Sequence, residues 1–186
     1  DARQGRGGFS LARPPKPSLH RTQATERTAM TPSTPEILAR LVAEPTVSRT
    51  SNLALLDYVE SLLRPVGARI ERFRANLFAT VGPDGPGGVV LSGHTDVVPV
   101  EGQAWSRDPF TLAERDGRFY GRGTADMKGF VAASLRAAFL AADRPLKRPL
   151  HLAFSYDEEI GCIGVRGMIE ALAGRPQRPA PCIVGE

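Results

Sequence analysis

The chain has 186 residues, 41% of them hydrophobic, which is enough for one domain with an apolar core. Its net charge of +4 arises within residues 1–29, which hold six basic and two acidic residues. The rest of the chain is electrically balanced, so its composition excludes a basic nucleic-acid surface, and no apolar run is long enough for a membrane span or a secretion signal.

Residues 1–29 are rich in arginine, proline, glycine and serine and show no apolar periodicity. Pro14, Pro15 and Pro17 disfavour the amphipathic helix of a transit peptide. Because Met30 begins a more regular sequence, we interpret residues 1–29 as a disordered basic leader or a misplaced start, and residues 30–186 as the folded part.

The folded part opens with helical spacing of apolar residues over 33–47 and again over 51–63. Strands are predicted over 68–73 and 76–81, and the glycine and proline residues of 82–88 predict a turn. The short apolar run 89–93 is typical of a strand buried on both faces. An irregular stretch follows to about residue 123, and then a helix over 127–142, a strand over 149–156, a helix over 165–173 and a strand over 180–184.

This alternation of strands and helices predicts an α/β fold whose mixed sheet is mostly parallel and is covered by helices on both faces. The last predicted strand ends two residues before the chain does. We therefore expect the domain to be truncated at its C-terminal end.

The two cysteines, Cys162 and Cys182, form no CxxC pair. Two cysteines without such spacing exclude a disulfide framework and favour a reducing, cytoplasmic compartment. We expect each to be a small buried apolar residue rather than a nucleophile, although Cys162 lies close to the acidic run 157–159.

Polar clusters stand at the ends of four predicted segments. His94 and Asp96 follow the strand 89–93, and Asp126 begins the helix 127–142. The acidic run 157–159 follows the next strand, and Glu186 follows the last one. Since ligands of open α/β sheets bind at the carboxyl ends of the strands, we expect all four clusters to converge on one edge.

Carboxylates that converge in this way repel one another, and burying each costs on the order of several kcal/mol unless its charge is neutralised. Arg122 and Lys128 are the only basic residues nearby in sequence, and they are too few. Divalent cations would supply the missing charge, and His94 is of the residue type that most often binds them. A mixed set of imidazole and carboxylates suits zinc, cobalt or manganese better than calcium.

Spacing suggests further roles. His94 and Asp96 are two apart on an extended segment, so the carboxylate can accept the second imidazole N–H. Glu158 and Glu159 are adjacent and point apart, so one can bind metal and the other can act as general base. Each residue also has an ordinary explanation, such as a helix cap for Asp126 or a solvated turn for the acidic run, and His151 is interpreted as structural. Only the combination favours a metal site.

Three motifs in this order resemble the M20 family of metallopeptidases and deacylases, namely 92–100 (SGHTDVVPV), 121–129 (GRGTADMKG) and 157–161 (DEEIG). Within that family, 105–110 (WSRDPF) and 120–123 (YGRG) make the chain most similar to the acetylornithine deacetylases. The resemblance covers residues 30–186 and implies a zinc-exopeptidase-like catalytic domain, of which these residues are the N-terminal, metal-binding part.

The resemblance also implies a role for each site residue. His94 binds the first of two metal ions, Asp126 bridges both, Glu186 completes the first site and Glu159 binds the second. Glu158 is the general base, and Asp96 orients His94. The family's distal histidine and its lid or dimerisation domain would lie beyond residue 186, so we expect the isolated chain to be inactive and the full-length protein to be a homodimer.

The function implied is metal-dependent hydrolysis of the amide of an N-acyl amino acid in the cytoplasm. The expected substrate is N2-acetylornithine, giving ornithine and acetate in arginine biosynthesis. Another activity of the family remains the alternative, either a succinyl-diaminopimelate desuccinylase, an aminoacylase or a dipeptidase. A non-catalytic metal-binding fragment is the alternative of a different class.

Overall fold

The structure is a computed structural model that describes residues 31–175, 178–179 and 181–186, so the predicted leader lies outside the described residues. Its four α-helices are α1 (Thr34–Val42), α2 (Leu53–Leu63), α3 (Lys128–Ala142) and α4 (Arg166–Ala173). Its strands are β1 (Arg69–Phe73), β2 (Asn76–Val81), β3 (Val89–His94), β4 (Ala113–Arg115), β5 (Arg118–Tyr120), β6 (Leu150–Ser155) and β7 (Cys182–Val184).

Five strands form one mixed sheet in the order β1-β2-β6-β3-β7. The pairs β1–β2 and β2–β6 are antiparallel, whereas β3 runs parallel to both β6 and β7. In the parallel half, His94 stands opposite Ser155 and Ser92 stands opposite Val184. The carboxyl ends of β3, β6 and β7 therefore meet at one edge of the sheet.

Helices cover both faces of this sheet. The larger apolar cluster joins α1, α2 and α3 to one face through buried residues such as Leu41, Leu56 and Leu135. The smaller cluster lies on the opposite face, where Met168 of α4 packs with Phe78, Val90 and Ala153. The predicted α/β class with a mixed sheet between two helical layers is confirmed.

Helix α1 starts as predicted but ends earlier. The Ser33 side chain accepts a hydrogen bond from the Glu36 amide, and the Glu36 carboxylate accepts one from the Ser33 amide, which forms a capping box. The predicted helix extended to Val47, but the observed one ends at Val42. Pro45 disfavours helical geometry in the residue before it, and Val47 instead pairs with Val97 in a parallel bridge.

A buried lysine fixes the point where α1 ends. The side chain of Lys128 is fully buried at the start of α3, and its ammonium donates hydrogen bonds to the carbonyls of Leu41 (2.9 Å) and Glu44 (2.6 Å). Burial lowers the pKa of Lys128 to about 8. Both carbonyls also accept a backbone amide, from Glu44 and Thr46 respectively, so the lysine adds a second bond to each and ties the end of α1 to the start of α3.

Two expectations from the sequence are wrong in detail. The stretch between β3 and α3 was expected to be irregular, yet it contains the antiparallel hairpin β4–β5. Cys162 and Cys182 were expected to be buried, yet both are exposed. Cys182 lies on β7, which has β3 as its one neighbour among the described strands. None of the helices in the described part of the chain is long and apolar enough to cross a membrane.

Candidate metal centre

The residues singled out in the sequence converge at the carboxyl edge of the parallel strands. His94 Nε2 lies 3.0 Å from Asp126 Oδ1, 3.7 Å from Glu158 Oε2 and 3.8 Å from Glu186 Oε1. The His94 side chain is 1% exposed, whereas those of Asp126 and Glu186 are 58% and 54% exposed. The centre is therefore a buried imidazole bordered by carboxylates that are more exposed.

Close packing at two glycines allows this convergence. A Cβ atom on Gly93 would lie 3.0 Å from the Met127 methyl, so β3 passes directly under the residue that follows Asp126. A Cβ atom on Gly185 would lie inside the Phe130 ring, at 1.9 Å from its Cγ. Each glycine immediately precedes a candidate ligand, His94 or Glu186. A larger residue at position 185 would displace that ligand, whereas at position 93 the Met127 methyl would have to move by a few tenths of an ångström.

Two groups of side chains could each hold one metal ion. The first consists of His94, Glu158 and Glu186, and the second of His94, Asp126 and Glu159, with the ligand atoms of each group within 4.8 Å of one another. The Asp126 carboxyl also contributes to the raised pKa of Glu186, so the two carboxyls lie close together. Both groups depend on the single imidazole of His94.

The adjacent Glu158 and Glu159 both face this centre, each in a different group of candidate ligands. The geometry alone lets Glu158 serve as a ligand next to Glu186, which competes with its predicted role as general base. The Cys162 thiol donates a hydrogen bond to Glu158 Oε1 at 3.1 Å, so the exposed cysteine touches the site without joining either group. The role of Glu158 therefore stays a prediction that a variant must test.

The charges of the centre are poorly balanced by protein groups. Burial and the neighbouring charge of Asp126 both raise the pKa of Glu159 and of Glu186. Among the described residues, no lysine or arginine forms an ion pair with Asp126, Glu158, Glu159 or Glu186. Four carboxylates around one imidazole are the donor set that a divalent cation neutralises, so these residues fit a metal ion of the zinc, cobalt or manganese type.

The same excess of carboxylate charge favours the protonated form of His94. Burial opposes a charge on the imidazole, but the carboxylate and carbonyl of Asp96 and the charge of Asp126 outweigh it and raise the pKa of His94 to about 9. An imidazolium thus supplies part of the positive charge at this centre. A metal ion that binds Nε2 has to replace that proton.

Asp96 contacts more groups than the sequence indicated. His94 Nδ1 lies 2.9 Å from the Asp96 carbonyl and 3.4 Å from its Oδ1, so the carbonyl is the nearer partner of the imidazole. The carboxylate accepts hydrogen bonds from the Glu158 amide (3.0 Å), the Glu159 amide (3.3 Å) and the Ser48 hydroxyl (2.7 Å). Burial would raise the pKa of Asp96, but these bonds and His94 lower it.

Ser48 was not singled out in the sequence, because it lies 48 positions from its partner and directly follows the predicted helix 33–47. His151, by contrast, is structural as predicted, since its Nδ1 pairs with Thr80 Oγ1 at 2.9 Å and its ring stacks on Phe78.

The segments 105–110 and 120–123 contact each other through Arg122 and Trp105. The Arg122 guanidinium lies 5.1 Å from the centre of the Trp105 ring and donates hydrogen bonds to Gln103 Oε1 and, at 3.4 Å, to the Pro99 carbonyl. Trp105 donates its indole N–H to the same Gln103 oxygen at 3.0 Å. Arg122 thus joins the two motif segments four residues before Asp126.

An α/β sheet that carries a histidine and several carboxylates at the carboxyl ends of its parallel strands is typical of a metal-dependent hydrolase. The profile of the peptidase family M20/M25/M40 matches residues 90–186, just over half of the chain. The chain belongs to this family.

Solved structures of the family share the fold. Human carnosine dipeptidase 1 is 25% identical with a TM-score of 0.67, covering 87% of this chain and 39% of its own. The metallo-carboxypeptidase Sso-CP2 of Sulfolobus solfataricus is 25% identical with a TM-score of 0.69, covering 83% and 37%. The YXEP protein of Bacillus subtilis, described as a dinuclear metal-binding peptidase, is 19% identical with a TM-score of 0.60, covering 84% and 43%. The chain thus spans about two fifths of the length of these relatives.

Proposed function

We propose that the chain carries the metal-binding part of a di-metal amidohydrolase that cleaves the amide of an N-acyl amino acid. The observation that supports this most strongly is the cluster of four carboxylates around the buried His94 Nε2, the nearest of them 3.0 Å away. Family membership and the dinuclear centre described for the Bacillus subtilis relative agree with it.

In this proposal His94, Asp126 and Glu186 hold a first divalent cation, and Asp126 and Glu159 hold a second, zinc being the preferred metal with cobalt or manganese as alternatives. When bound, the two cations polarise the scissile carbonyl and make water more acidic. Glu158 removes a proton from the attacking water and delivers it to the nitrogen of the leaving amine. Asp96 keeps the imidazole and the 158–159 amides in place throughout.

N2-acetylornithine is the substrate that we propose first, because the 105–110 and 120–123 segments resemble those of acetylornithine deacetylases. A dipeptidase is the main alternative, favoured by the similarity to human carnosine dipeptidase 1. A desuccinylase or aminoacylase activity fits the same centre. For the whole protein we propose a homodimer that acts on small acyl amino acids in the cytoplasm.

The test is a comparison of substrates on the full natural protein, since relatives of this family are more than twice as long as this chain. N2-acetylornithine, an N-succinylated diamino acid and a dipeptide are incubated with the zinc-loaded and the chelator-treated protein, and the products are separated by chromatography. We expect metal-dependent release of acetate with a kcat/KM for acetylornithine at least about tenfold above the others, which is the discrimination that a difference of about 1.4 kcal/mol provides.

A higher kcat/KM for the dipeptide would replace the proposed substrate and leave the amidohydrolase proposal standing. Zinc binding without turnover of any of these amides would favour the non-catalytic metal-binding protein instead.

A further inference from the structure

The Asp96 carboxylate connects three separate parts of the metal centre although it is almost fully buried, at 3% exposure. One oxygen accepts the Glu158 amide at 3.0 Å, and the other accepts the Glu159 amide at 3.3 Å and the Ser48 hydroxyl at 2.7 Å. The first oxygen also lies 3.4 Å from His94 Nδ1. The orientation of this one carboxylate therefore affects the imidazole and the acidic turn together.

The Ser48 hydroxyl is itself held in place by the backbone. The Val97 amide donates to the Thr46 carbonyl at 3.0 Å, and the Ser48 amide donates to the Val97 carbonyl at 3.1 Å. Residues 46–48 thus lie parallel to the chain that leaves β3, one residue beyond Asp96. These bonds fix the backbone of Ser48, so its hydroxyl can leave the carboxylate only by rotation about the Cα–Cβ bond.

Arg49, the residue after Ser48, contacts the acidic run 157–159 directly. The Arg49 amide donates to Asp157 Oδ1 at 2.6 Å, directly before Glu158. Residues 48 and 49 therefore contact both groups that hold the backbone of the two glutamates. Ser48 bonds to Asp96, which accepts their amides, and Arg49 bonds to Asp157, which directly precedes them. Hydrogen bonds of this kind, one step removed from the ligands, set the orientation of metal-binding side chains.

We propose that Ser48 is a positioning residue of the metal centre, which acts through Asp96 to orient His94 and the Glu158–Glu159 turn. Among the three hydrogen bonds to the carboxylate, the one from Ser48 is the shortest and the only one donated by a side chain. Without it, this oxygen keeps only the 3.3 Å hydrogen bond from the Glu159 amide, so the carboxylate is held less firmly in its orientation. This inference rests on the proposed metal-binding function.

The experiment is a zinc titration of the 186-residue chain by calorimetry, with Ser48→Ala, Ser48→Thr and the wild type. We expect Ser48→Ala to weaken the tight zinc site by about 10- to 100-fold, the usual effect of removing such a partner. Ser48→Thr keeps the hydroxyl and should bind within about threefold of the wild type, on the same scale. Ser61→Ala is the matched control, since Ser61 is exposed on α2 and donates only to the Tyr58 carbonyl.

Cobalt supplies a second readout, because its visible absorption reports ligand geometry. The spectrum should change in Ser48→Ala and stay unchanged in Ser48→Thr and Ser61→Ala, while the melting temperatures of the four metal-free proteins agree within a few degrees. If the alanine variant does not fold, Ser48→Cys keeps the volume with a weaker donor and should give an intermediate loss of affinity.

The inference is overturned if Ser48→Ala binds zinc like the wild type, if Ser48→Thr loses as much affinity as Ser48→Ala, or if only the melting temperature changes. A wild-type chain that binds no zinc contradicts the proposed function itself, which separates the two failures.

Discussion

Replacing Glu158 by glutamine is expected to lower kcat of the full natural protein by about 10²- to 10⁴-fold, the contribution of a positioned general base. The amide keeps the size of the side chain, and its oxygen can still accept a hydrogen bond from the Cys162 thiol. It cannot, however, act as a base that removes a proton from water. Zinc content should stay close to that of the wild type, because the proposal assigns Glu158 no metal.

This variant separates the two roles that the geometry allows. Glu158 also groups with His94 and Glu186 as a possible ligand, so a loss of zinc that parallels the loss of turnover would make it a ligand instead. Glu170→Gln is the matched control, since Glu170 is exposed on α4. Stoichiometry by elemental analysis together with the kcat of each purified variant decides between the roles, and substantial turnover in Glu158→Gln would remove the general-base assignment.

Replacing His94 by alanine is expected to eliminate tight zinc binding. The loss of zinc affinity should exceed the roughly 100-fold that results from removing a residue that only hydrogen-bonds to a ligand. The reason is that both groups of candidate ligands contain His94 as their only nitrogen ligand. Removing it leaves carboxylates alone, a donor set that zinc accepts less readily than a mixture with imidazole.

Equilibrium dialysis of the variant against zinc measures this loss. His151→Gln is the matched control, because His151 lies on β6 paired with Thr80 and takes no part in either group. Its zinc affinity should equal that of the wild type. Retention of a full equivalent of tightly bound zinc by His94→Ala would exclude His94 as a ligand.

Much of the site follows from the sequence because its residues come directly after apolar strands. His94 follows β3, the glutamates follow β6 and Glu186 follows β7, and the carboxyl ends of parallel strands lie together by geometry. Asp126 was placed correctly beside them by its position before α3, although Met127 and not Asp126 is the N-cap of that helix. Strand β2 was predicted with the correct bounds for a similar reason, since its apolar run ends at a clear turn.

The remainder depends on contacts between distant residues, which no local pattern encodes. Ser48 reaches Asp96 only because α1 stops at Val42 and Lys128, far along the chain, holds its last carbonyls. The nearest partner of the imidazole is the carbonyl of Asp96, which residue types cannot reveal because every residue has one. The exposure of Cys182 likewise follows from the strand order, which gives β7 only β3 as a neighbour among the described strands.

The central claim is that His94 and the surrounding carboxylates bind metal, and the most direct measurement is a calorimetric zinc titration of the wild-type 186-residue chain. Because the proposed first site contains the imidazole of His94 whereas Asp126 and Glu159 offer the second site only carboxylates, we predict one tightly bound zinc and a second bound only weakly. Two equally tight sites would contradict this assignment of ligands. A chain that binds no zinc tightly would contradict the metal centre as a whole.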